Sequence, residues 1–325
     1  MSTSNANSAE SSPEAPPAEA TATGSAAPGS RKVTGTVWAA LAIVYVVWGS
    51  TYLGIRIVVE TIPPFLSAGI RFVTAGLLLT ALVAWRQGPA ALRVSGRQLG
   101  SAVLVGLLLV LGGNGLVVLA ETEIPSGLAA LLVAAVPMWV VLLRAGTGDR
   151  PAPSTLAGVL LGMAGLTVLC SPGLTGDVRL WGVLSVLGAT LTWSLGSFAS
   201  GRLPMPANPF TASAYEMVAG GVAGLLVGLV RGDLREFDPG AVSGASWAAL
   251  GGLILFGSLV AFTAYVWLLG TAPLSLVATY AYVNPVVAVA LGALILDEAL
   301  TWPIVVGGMI VVAAVCVIVR TERRS

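Results

Sequence analysis

Beyond residue 35 the chain alternates long apolar runs with short polar breaks. The runs span 36–55, 64–85, 99–119, 124–143, 154–171, 180–200, 210–230, 246–269, 273–295 and 302–319. A helix needs about 20 predominantly apolar residues to cross the hydrocarbon of a bilayer. Most runs reach that length, and the fifth and tenth fall just short of it. The pattern predicts an all-α integral membrane protein with ten transmembrane helices. The connectors are too short for any domain outside the membrane. Residues 1–34, rich in Ser, Ala, Pro, Thr and Glu, have no apolar periodicity and read as a disordered tail. They also lack the basic start and adjoining apolar stretch of a signal peptide.

Composition agrees with the pattern. Residues of the AVILMFWYC set make up 56% of the chain and charged residues 10%, where a soluble domain carries about 25% charged. The 16 basic and 15 acidic residues nearly cancel, so no global field points to nucleic acid. Their distribution is more telling. With an internal N-terminus, the inner segments hold Arg31, Lys32, Arg86, Arg93, Arg97, Arg144, Arg150, Arg202, Arg320, Arg323 and Arg324. The outer segments hold only Arg56, Arg179, Arg231 and Arg235. That bias predicts cytoplasmic termini, including the short 321–325 end.

The chain has no histidine, and its one lysine is Lys32. These absences remove HExxH zinc sites, Ser-His and Cys-His nucleophiles and the phosphate loop of ATPases. No enzyme, metal site or cofactor is expected. Cys170 and Cys316 lie in apolar runs and read as buried small hydrophobes, with a disulfide as the alternative.

The two halves match. Trp48, Pro64, Phe65 and Arg71 in the first correspond to Trp193, Pro209, Phe210 and Glu216, each 145 residues later. After a three-residue shift, Pro125 pairs with Pro273, Pro137 with Pro285 and Asp149 with Asp297. Five helices per half is an odd number, so the second copy enters the membrane upside down. Inverted repeats are the architecture of many secondary transporters, with the substrate site near the midplane. A duplicated scaffold or a pore is the alternative.

The stretches WGSTYLGIR (Trp48 to Arg56), GNGLVVLAE (Gly113 to Glu121), PSGLAALLVAAVP (Pro125 to Pro137) and YAYVNPVVAV (Tyr280 to Val289) resemble the EamA family of the drug/metabolite transporter superfamily, and within it the YedA-type members. The likeness covers about residues 35–320, as repeats at 35–171 and 180–320. It implies two inverted five-helix EamA repeats and a multi-pass carrier of the bacterial inner membrane. Such carriers typically export small metabolites, amino-acid-like compounds or drugs. A passive channel or a lipid-handling scaffold remains the alternative class, and the tail is no part of the likeness.

Arg71 and Glu216 are the ionisable residues well inside the runs. Buried charge in hydrocarbon usually faces a cavity or a partner, so either a substrate pathway or a mutual ion pair fits. Each lies about 10 Å deep from opposite surfaces, which argues mildly against contact. Glu216 is the candidate for exchanging a proton, should protons be the coupling ion. Mid-helix Pro137 and Pro285 predict kinks that free carbonyls and act as hinges, or simply as packing features. Tyr280 and Asn284 share a helix face beside the second kink, with Tyr282 between them. Asn114 and Glu121 place polar groups in the outer half of the third helix, with Glu121 near its end, where water would keep it ionised. Trp48 with Ser50 do so in the first. Aromatic and amide groups suit organic solutes, although Tyr282 and Trp48 fit packing equally well. Small residues at Gly158, Gly162, Gly220, Gly224 and Gly228 predict close helix packing. Asp149, Arg150, Asp297 and Glu298 read as loop charges, and Trp181, Trp247 and Trp302 as interfacial aromatics.

Overall fold

A computed structural model describes residues 1–2, 34–124, 129, 132–133, 135–148, 151–170, 179–295 and 302–322. Most of the tail, Pro125 and the loop charges Asp149, Arg150, Asp297 and Glu298 lie outside them. The described residues are mostly helical and contain no strand.

The elements begin and end where local chemistry dictates. Helix α1 covers Gly35–Val59. Helix α2 covers Pro64–Gln87, with proline at its first position, where the missing N–H costs nothing. Helix α3, Gly96–Ala120, opens on a capping box: Gln98 N–H donates to the Ser95 hydroxyl, and Ser95 N–H donates to the Gln98 side chain. Then follow α4 (Val136–Gly146), α5 (Pro153–Cys170) and α6 (Leu180–Ser200). Helix α7, Pro209–Arg231, is capped by Asn208 and stopped by Gly232 at φ 93°, a left-handed conformation that glycine adopts without strain. Helix α8 runs Gly244–Thr271. A single turn, Leu274–Val277, and a break at Ala278 and Thr279 precede α9 (Tyr280–Ile295), and α10 covers Trp302–Glu322.

Helices α1, α2, α3, α6, α7 and α8 are long and apolar enough to cross a membrane, and the others carry shorter apolar stretches. Many of their large apolar side chains point outward, among them Leu77, Leu78 and Leu82 of α2 and Leu226 and Val230 of α7. A water-facing surface of that kind would aggregate, whereas a bilayer solvates it. Trp181, Trp247 and Trp302 are all exposed. Cys316 is exposed as well, which corrects the expectation of burial. It sits on the outward face of α10, where lipid is as apolar as a protein interior. The Cys170 side chain lies outside the described residues.

Glycines set the closest crossings. Helix α2 packs along α7, and α5 along α10. A methyl group at Gly69 would lie 2.6 Å from Leu225, and one at Gly221 2.7 Å from the Val73 nitrogen. Gly158 and Gly162 play the same part under Ile318 and Tyr282.

Two helices widen in mid-course. Leu107–Gly115 in α3 and Leu253–Phe262 in α8 are π-helical. Such stretches interrupt the regular backbone ladder and often mark functional positions. The prolines differ from expectation at one position. Pro285 is inside α9, but Pro137 falls in the first turn of α4, after a turn at Ala135. There a proline fits without displacing a backbone hydrogen bond.

Candidate functional site

One cavity lies in the half of the bundle nearest the α1–α2 connection. It holds about 560 Å³ of empty space, mouth included, and draws lining from α1, α2, α3, the start of α4, α6 and α9. Helix α1 contributes Trp48, Thr51, Tyr52 and Ile55, which lie on one helical face. Arg71 enters from α2, 3% exposed, and is the charged residue of the lining. Its Nε donates to the Ser258 hydroxyl at 2.8 Å, and its Nη1 reaches Asn114 Oδ1 at 3.4 Å. Both acceptors sit on the π stretches. Asn284, oriented as its neighbours require, donates to the backbone carbonyls of Tyr280 and Tyr45 at 3.1 and 3.2 Å.

The floor of this cavity is a cluster of rings. Trp48 stands edge-on to Trp193 with centroids 5.4 Å apart, and Tyr265 and Tyr280 close the group at 5.0 and 5.1 Å from Trp48. Such edge-to-face pairs add roughly 0.5–1.5 kcal/mol each beyond burial. Their polar ends are tied off. Trp48 Nε1 donates to the Gly257 carbonyl at 3.0 Å, within the π stretch of α8. Trp193 Nε1 donates to the Tyr265 hydroxyl at 2.8 Å, which also shares a 2.6 Å hydrogen bond with Ser197.

Beyond the rings, toward the opposite end of the bundle, a second cavity of about 650 Å³, mouth included, is lined by residues of α6, α7, α8 and the α6–α7 connection. It shares no lining residue with the first. Glu216 lies on its wall, fully buried, and neither carboxylate oxygen has a hydrogen-bond partner. Arg71 and Glu216 therefore do not pair; they belong to opposite cavities.

The sequence pattern of the EamA-like transporter family matches residues 34–171 and 180–320. The chain belongs to that family. It is 39% identical over 258 residues to the uncharacterized inner membrane transporter YedA of Escherichia coli K12, covering 79% of this chain and 81% of the relative. A second relative in that organism, named "Probable amino-acid metabolite efflux pump", is 26% identical over 279 residues, covering 80% of this chain and 86% of its own. A crystal structure shares the fold at TM-score 0.73 and 21% identity, over 90% of this chain and 99% of that one.

Within this transporter chain, Trp48, Arg71, Asn114, Tyr280 and Asn284 meet in the first cavity. Ser50 does not. It is exposed and bonds back to the Val47 carbonyl, because two residues along a helix from Trp48 is nearly the opposite face. Tyr282 is turned away from Tyr280 and Asn284 for the same reason, and its hydroxyl donates to the Val159 carbonyl at 3.2 Å while its ring packs over Gly162. Glu121 is not at a watery helix end. It is fully buried with both carboxylate oxygens unpartnered, and Arg56 Nη1 donates to its backbone carbonyl. The C-terminal turn of α3 packs against α6 and α2 there, which shuts water out. Thr51, Tyr52, Trp193, Ser258 and Tyr265 escaped the sequence reading as site residues. Trp193 was signalled as the repeat partner of Trp48, and Thr51 and Tyr52 by helical spacing from it.

Proposed function

We propose that the protein is a secondary carrier that exports a small organic solute by alternating access between two inverted five-helix repeats, ten helices in all. The observation that carries this reading is the pair of cavities on opposite sides of one aromatic cluster. A channel would need a continuous path, whereas a carrier needs a barrier that changes sides. Packing supports the duplication: α1 lies on α8 and α9 as α6 lies on α3 and α4, and α2 lies on α8 as α7 lies on α3. The π stretches begin 146 residues apart, at Leu107 and Leu253, close to the repeat offset. The break before α9 supplies the discontinuous helix from which transporter sites are commonly built.

In this reading the arginine bias puts both termini in the cytoplasm, so the Arg71 cavity faces outward and the Glu216 cavity inward. Pro285 lets α9 flex beside the rings. Export fits the name of the efflux-pump relative. Glu216 is the group that exchanges protons, because an unpartnered carboxyl takes up and releases a proton without breaking an ion pair.

Cells lacking or overproducing the chain, challenged with a panel of amino acids, organic acids and amines, should differ in tolerance and in release of one compound class. Uptake of that compound into proteoliposomes should saturate and accelerate with the same compound inside. Flux that never saturates would make the protein a channel. Glu216→Gln should abolish the pH dependence of the flux, and wild-type dependence in that variant would end the coupling role.

A further inference from the structure

We infer that the Arg71 cavity selects organic solutes that carry a carboxylate and no ammonium group. This rests on the reading of that cavity as the substrate site and narrows its ligand to net anions with a flat apolar body.

The guanidinium is held by neutral groups alone. Ser258 and Asn114 take its Nε and Nη1, two of five donors, and leave the rest of the fork unclaimed. Glu121 lies within electrostatic reach of Arg71 but forms no hydrogen bond with it, and it is not part of the cavity lining. The same carboxylate also acts on Arg56. That carboxylate is therefore not committed to Arg71 alone. A buried guanidinium without a carboxylate partner is costly, and an arriving carboxylate relieves that cost through paired, charge-assisted bonds.

The rest of the lining fits the other end of such a solute. Trp48, Trp193 and Tyr280 give flat apolar walls. The lining contains no carboxylate among the described residues. The Asn284 nitrogen is committed to two backbone carbonyls, so its oxygen is the group turned to accept. With the hydroxyls of Thr51, Tyr52 and Tyr280 it forms a neutral set that suits a hydroxyl or an N–H. None of these carries the negative charge that would offset the desolvation of an ammonium ion held in the same cavity as Arg71.

The test is calorimetric titration of the purified full-length chain with four matched probes: phenylacetate, phenylacetamide, phenylalanine and phenethylamine. Phenylacetate should bind about tenfold or more tightly than its uncharged amide, the ratio expected for one charge-assisted contact, and more tightly than zwitterionic phenylalanine, whose ammonium must be desolvated beside Arg71. Phenethylamine should bind weakest. In Arg71→Gln the ratio of phenylacetate to phenylacetamide affinity should collapse toward one. The wild-type rank order decides the matter by itself if that variant fails to fold. Binding of phenylalanine or phenethylamine as tight as that of phenylacetate would overturn the inference and leave the carrier reading intact. Binding by none of the four would overturn the inference, while the saturation and acceleration of flux in proteoliposomes would still decide the carrier reading.

Discussion

Gly106 has no room for a methyl group. A Cβ built there would lie 2.7 Å from the Cα of Glu216, with the backbone carbonyl of Glu216 nearer still. Helices α3 and α7 therefore touch backbone to backbone where the second cavity begins. Six residues earlier in the same helix, Gly100 has nothing within 4 Å. Gly106→Ala is expected to destabilise by about 1–3 kcal/mol through overpacking, while Gly100→Ala is neutral or stabilises by up to about 1 kcal/mol through helix propensity. Thermal unfolding in detergent reads both, and equal melting temperatures would show that α7 can step aside. Single residues were legible in the sequence only where the helical period was respected. Arg71 was singled out because a charge well inside an apolar run needs a cavity or a partner, and Trp48 because aromatic groups beside polar ones suit organic solutes. Ser50 and Tyr282 were misplaced because each sits two positions from a true lining residue, on the far side of its helix.

Helix boundaries were well read where proline, glycine or a capping side chain ends a run, but not in the fourth and ninth runs, 124–143 and 273–295, where α4 begins only at Val136 and α9 only at Tyr280. The α6 span, Leu180–Ser200, coincides with the run that predicted it. The π stretches were not legible. Apolar patterning carries no mark of a wider turn, and it is that turn that aims Asn114, Gly257 and Ser258 at their partners. Pro137 and Pro285 looked equivalent in sequence, yet one opens a helix and the other lies inside one. Their alanine variants should therefore differ. Pro285→Ala is expected to keep solute binding and lose turnover, since it restores a backbone donor and stiffens α9 where that helix passes Gly49 of α1. Pro137→Ala should leave turnover within about twofold, because a first-turn proline replaces no backbone bond. Equal turnover losses in both would mean that the position of a proline within its helix has no bearing on the cycle.

The membrane orientation can be tested from the surface. Arg93 and Arg235 are exposed at opposite ends of the bundle, while Asp233 is buried and accepts a hydrogen bond from Leu66 N–H. Cysteine at 235, in a background without Cys170 and Cys316, should react with an impermeant thiol reagent in intact cells. Cysteine at 93 should react only after the membrane is opened. The reverse pattern would invert the orientation and with it the direction each cavity faces. Family and helical class were legible from composition, the repeat register and four motifs. The division of Arg71 and Glu216 between two cavities was only hinted at by their depths, because no pattern in one dimension records what stands between them.

What stands between them also bears on the energetics of the cell. The polar ends of Trp48, Trp193 and Tyr265 all finish on partners within the cluster or the backbone beside it. No donor is left dangling from these three for a file of water to join. A membrane that stores energy as an ion gradient loses that store through any continuous wet thread. Packed rings with satisfied hydrogen bonds act as an electrical insulator, so a protein that handles solutes through this barrier can be abundant in such a membrane without short-circuiting it.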